Sequence, residues 1–136
     1  MHHVLRLLVV HDLVEVYAGD HLVLAQTDAE LVAELEAGAA ERLFSSLPDD
    51  QRDRFSSLWR EFEERRTPEA VFARAIDALH PLLMTWGPGG QGPSHHKLTA
   101  HETLARKRPL LEPYPGLWRL ARDVLDEAVG AGIQAP

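Results

Sequence analysis

The sequence contains no cysteine. That removes disulfides, thiol nucleophiles and sulfur-ligated zinc together, and leaves histidine and carboxylate side chains as the only strong metal ligands. Basic residues are in deficit, 14 against 21 acidic ones, for a net charge of -7. Such a balance argues against a surface for nucleic-acid polymers, whose phosphates are held by clustered Lys and Arg. A small anionic substrate is still compatible, because a bound cation can carry the local positive charge. A long hydrophobic run is missing too. In "VLRLLVVHDLVEV" the residues Arg6, His11, Asp12 and Glu15 interrupt the apolar stretch well before ~20 residues accumulate, so no membrane span is expected. No small-residue cleavage pattern follows, which does not fit a signal peptide, and a cytoplasmic protein is the expectation.

What is present is ordinary for a globular protein: 136 residues, 45% hydrophobic and 26% charged. That length fits one domain with one core, residues 1–136. Nearly every segment carries helical spacing. From Val4 to Tyr17, apolar residues at 4, 5, 8, 9, 13 and 16 follow the 3.6-residue period, with Gly19 as a stop. Thr27 and Glu30 make a capping-box pattern ahead of a second helix. Pro48, Asp49 and Asp50 open a charged amphipathic helix with Phe55, Leu58, Trp59 and Phe62 on its apolar side. Thr67 and Pro68 read as the cap and first position of "EAVFARAIDALHPLLMTW". The stretch "GPGGQGPS", residues 87–94, predicts a flexible loop suited to the rim of a site. After it, Pro109 is expected to kink or end a helix that reaches Arg108, and a last amphipathic helix follows the "EPYPG" turn. An all-α bundle with short connections accommodates this order.

Against that background "VVHDLVEVYAGD" sets polar groups into an apolar helix. His11, Asp12 and Glu15 lie three and four residues apart, so all three can face roughly one way. Burying them is costly unless they are paired or coordinate a cation, and His with Asp is a common mixed ligand set for Mn, Fe, Co, Zn or Mg. The alternative is a partly exposed His-Asp pair at a helix edge. Asp77 forms a second island beside an apolar stripe. It can enter a shared metal site or make a local contact with Arg74 or His80, each three residues away.

Together, "VVHDLVEVYAGD" and "RAIDALHPLL" resemble the HD-domain metal-dependent phosphohydrolases, most closely the branch of the bacterial 5'-deoxynucleotidases. The resemblance covers roughly residues 4 to 86, where "LWREFEERRTPEA" also matches the family's charged helix and helix start. It implies an HD-like helical bundle with His11, Asp12 and Asp77 as ligands of one divalent ion. Glu15 would position or deprotonate the attacking water, and Asp20 would sit near the substrate or protonate the leaving alkoxide. Where the family has Thr after that Asp, this chain has His21, a candidate substrate contact together with Arg74. The implied substrate is a nucleoside 5'-monophosphate or a similar small phosphate monoester.

The family's first ligand is a histidine on a helix before the HD motif, and the sequence begins within the HD helix. The expectation is therefore an N-terminally truncated bundle. His3, eight residues from His11, would be ~12 Å away along a helix at ~1.5 Å per residue, too far to substitute, and is predicted to be an exposed helix start. His21 and His80 are the local substitutes. Otherwise the chain is a fragment, is inactive, or takes a ligand from another subunit. An uncovered apolar patch predicts a homodimer. The rival to an enzyme is a dimeric binding module on a catalytically impaired HD domain, and a di-iron oxygenase fits less well because it needs more histidines in register.

Overall fold

The computed structural model describes residues 1–18, 29–88 and 98–136. Among the described residues the helices are α1 (His2–Ala18), α2 (Ala29–Phe44), α3 (Asp49–Glu64), α4 (Pro68–Trp86), α5 (Ala100–Leu111) and α6 (Pro115–Gly130). No strand occurs among the described residues, so the all-α expectation holds. No described helix is long and apolar enough to cross a membrane. Contacts group the chain into two compact units, Met1–Ala73 and Arg74–Pro136, with the division falling inside α4.

In the first unit α1, α2 and α3 pack against one another. The stripe of α1 that is buried is Val4, Leu7, Val10 and Val14, with His11 beside it. Val4 and Leu7 meet Phe62, Ala70 and Ala73, whereas Val10 and Val14 meet Ala39, Ala40 and Phe44. This corrects the face expected from the sequence. Leu5, Val9 and Val16 are 54%, 60% and 73% exposed, and Leu13 is exposed too. The reason is physical: α1 is apolar on nearly all sides, so two different stripes satisfy the helical period and only the packing partners choose between them.

Elementary capping rules place the ends of α3 and α4. Asp49 and Asp50 occupy the first turn of α3, where carboxylates meet the positive end of the helix dipole. Arg65 closes α3 in the left-handed region, φ 52°, and its amide donates to the Glu61 carbonyl. Thr67 then starts α4 as predicted: its hydroxyl accepts from the Ala70 amide at 3.2 Å, and Pro68 takes the first helical position. The Thr67 hydroxyl also donates to Glu61 Oε1 at 2.6 Å, and His3 Nε2 donates to both Glu61 oxygens at 3.0 and 2.9 Å. His3 is thus a tie between the start of α1 and the end of α3, where the sequence predicted an exposed terminus.

In the second unit α4, α5 and α6 share one core of Ala75, Ala78, Leu79, Leu82, Leu111, Ala121, Val124 and Leu125. A complete capping box opens α5, with Thr99 and Glu102 exchanging bonds of 3.2 and 2.8 Å. Pro109 sits within α5, which runs on to Leu111. The carbonyl it leaves without a helical donor belongs to Ala105, which is exposed, so water can satisfy it. Near the chain end the Ala100 amide donates to the Ala135 carbonyl at 2.8 Å, and the Gln134 side chain donates to the Leu98 carbonyl at 2.7 Å. The Thr27–Glu30 cap and most of the predicted 87–94 loop lie outside the described side chains or residues.

Candidate metal centre

His11 occupies the core side of α1 and is only 9% exposed. Its ring is stacked on Phe62 of α3, with centroids 4.0 Å apart and planes inclined by 20°. Carboxylates stand at both ring nitrogens. Glu63 Oε1 lies 3.4 Å from Nδ1, and Glu15 Oε1 lies 3.9 Å from Nε2. The α-helical spacing of four residues brings Glu15 alongside His11, as the sequence implied. Asp12, the next residue on α1, is exposed, so its carboxylate remains solvated. An imidazole that is buried on one side and open to carboxylates on the other is suited to ligation, since a neutral ring keeps one lone pair for a cation.

The second unit holds Asp77 on α4, half-buried, with Arg74 Nη1 donating to its Oδ2 at 3.2 Å. That contact leaves Oδ1 available. It is the local pairing that the sequence offered as one alternative for Asp77. His80, the neighbour three residues the other way, is exposed. Pro81, four residues after Asp77, has no amide hydrogen to give the Asp77 carbonyl, so the helical ladder lapses at this residue. Lys107 of α5 adds a second cation near Asp77. Partial burial lowers its pKa, the Asp77 carboxylate pulls it back up, and Arg74 adds to the lowering.

Asp20 and His21 lie outside the described residues, as do His95 and His96. His101 is exposed on α5. Nothing in the sequence alone singles out Glu63 or Lys107. Glu63 is hidden in the charged run "WREFEERR", and only three-dimensional packing of α3 on α1 distinguishes it from its acidic neighbours.

His11 and Asp12 are neighbours on α1 in the first unit, and Asp77 belongs to α4 in the second. One imidazole nitrogen with two carboxylate oxygens is a borderline-to-hard set that accepts Mn, Fe, Co, Zn or Mg. The residues present therefore fit a divalent cation.

A family model described as HD domain matches residues 1–118. Among curated proteins, the 5'-deoxynucleotidase HDDC2 of Xenopus laevis is 33% identical over 79 residues, covering 58% of this chain and 39% of that protein. The mouse protein of the same name is 30% identical over 79 residues, covering 58% and 40%. The chain thus matches about two fifths of the length of these relatives. Among solved structures, a predicted metal-dependent phosphohydrolase from Magnetospirillum magnetotacticum MS-1 superposes with a TM-score of 0.77 at 39% identity, covering 98% of this chain and 68% of that one.

Proposed function

The chain belongs to the HD domain family, and from that premise we propose that it is a metal-dependent phosphohydrolase acting on a nucleoside 5'-monophosphate or a similar small phosphate monoester. The observation that carries the reading is the setting of His11, an imidazole on the core side of α1 with a carboxylate at each ring nitrogen. The names of the similar proteins support the same chemistry. In this reading His11, Asp12 and Asp77 hold one divalent ion, drawn from Mn, Co, Mg, Zn or Fe. When bound, such an ion acidifies water and polarises the phosphoryl oxygen.

The remaining roles fall to the chain's own side chains. Glu15 is held beside His11 by helical spacing and accepts the proton of the attacking water. Asp20 protonates the leaving alkoxide, and His21 contacts the substrate. Arg74 keeps Asp77 oriented through Oδ2 and, with Lys107, supplies positive charge for a phosphoryl group. The whole chain acts as one HD-like domain, as a cytoplasmic homodimer. The exposed apolar side of α1 supports association, because a continuous uncovered stripe is costly in water. That stripe also favours the rival reading, a dimeric binding module without turnover.

Metal analysis of the purified chain, followed by phosphate release from a panel of deoxynucleoside monophosphates with added Mn, Co, Mg or Zn, tests the reading. Metal-dependent release is expected. A chain that takes up no metal and releases no phosphate would be the binding module.

A further inference from the structure

We infer that Glu63 is a positioning residue that fixes the tautomer and ring orientation of His11, so that Nδ1 carries the proton and Nε2 the lone pair. The inference rests on the reading of His11 as a metal ligand and goes beyond it to a residue of a different helix.

A neutral imidazole has one N–H and one lone pair, and only the lone pair can bind a cation. Which nitrogen keeps the proton is decided by what each one faces. At His11 both nitrogens face acceptors. The Nδ1 to Glu63 separation is 3.4 Å, and the Nε2 to Glu15 separation is 3.9 Å. The closer carboxylate draws the proton to Nδ1, and Nε2 then points its lone pair to the side where Glu15 stands.

Stacking completes the restraint. Phe62 lies flat against the ring at 4.0 Å and fixes its plane, but a half-turn about the Cβ–Cγ bond would put Cδ2 where Nδ1 stands and Cε1 where Nε2 stands without leaving that plane. Phe62 cannot tell those two orientations apart. Glu63, the next residue on α3, can, because it presents an acceptor on one edge of the ring only. Both residues come from a helix packed directly on α1, so the pair is held by the fold of a single unit. A carboxylate behind the ring also raises the basicity of the opposite nitrogen, which strengthens its bond to a metal.

The test uses the full chain with Glu63→Leu and Glu63→Gln, measuring Mn binding by calorimetry and the His11 tautomer by 15N chemical shifts in metal-free protein. Expected are a proton on Nδ1 in the wild type, Mn affinity lowered about 10- to 100-fold in Glu63→Leu, and recovery of most of it in Glu63→Gln, whose carbonyl oxygen still accepts. Thermal melts show that each variant is folded. A proton on Nε2 in the wild type overturns the inference, as does a folded Glu63→Leu chain that binds Mn as tightly as the wild type. A His11→Ala arm separates the two levels. If that variant keeps full Mn affinity, His11 is not a ligand and the functional reading fails, while the 15N shifts still decide for or against Glu63.

Discussion

The imidazole of His11 and the ring of Phe62 lie in stacked contact at 4.0 Å, so the histidine of the HD pair is held by the hydrophobic core itself. Phe62 is fully buried, in one cluster with Val4, Leu7, Ala70 and Ala73. Phe62→Ala should destabilise the chain by about 3–5 kcal/mol through lost burial and a residual cavity. It should also weaken metal binding by loosening His11. Urea denaturation together with Mn titration of the folded fraction checks both effects, and Phe62→Leu is expected to retain more of each.

Asp77→Asn preserves shape and removes the charge that pairs with Arg74. Metal affinity should fall by at least about 100-fold, the upper end of what losing a mere orienting partner costs. Equilibrium dialysis with Mn measures it. In the wild type, a metal at a hundred times its Kd should add about 2.7 kcal/mol of stability, lost on chelation. The corresponding shift in melting temperature should be absent in Asp77→Asn.

Lys107 carries a charge that partial burial penalises and that Asp77 favours. Lys107→Met should therefore leave the melting temperature unchanged or raised, since a partly buried ammonium is replaced by an apolar chain of similar length. The same change should raise KM for a deoxynucleoside monophosphate by about tenfold, the value of a charge-assisted hydrogen bond, while affecting kcat less. Steady-state kinetics beside a thermal melt reads the two opposing outcomes.

Glu61 gives a pH signature. Partial burial pushes its pKa up, but hydrogen bonds from Thr67 and His3, with the attraction of His3, outweigh this and hold it below the ordinary 4.5. A carboxylate with a depressed folded pKa contributes stability that is present above its unfolded value and disappears as pH falls through the folded one. The wild type should therefore exceed Glu61→Gln in stability above pH 4.5, with the gap closing at more acid pH. Urea midpoints across that range measure the difference. Thr67→Ala, which removes the α4 cap as well, should cost about 1 kcal/mol at neutral pH.

The helices, the Thr67–Pro68 start of α4 and the pairing of Arg74 with Asp77 are legible in the sequence because each depends on neighbours within one or two turns. The buried face of α1 is not. With valines and leucines almost all round, local spacing has no preferred direction, and small residues such as Ala39, Ala40, Ala70 and Ala73 elsewhere in the chain decide which side closes up. His3 looks like a loose end in the sequence because its partner, Glu61, stands 58 residues away. Glu63 escapes notice for a similar reason: in a run of alternating charges, only the approach of another helix marks one carboxylate out.

The bonds that join Ala100 to Ala135 and Leu98 to Gln134 give the first amide of α5 a partner it could not find within its own helix. Two helices and their connection are thereby buttoned into a closed ring of backbone. Hydrogen exchange at Ala100 should be slow for a leading turn, and removing the last three residues should speed it while the distant Val124 and Leu125 amides stay protected. A tag fused at this terminus would pull on the beginning of α5, not merely trail from its end.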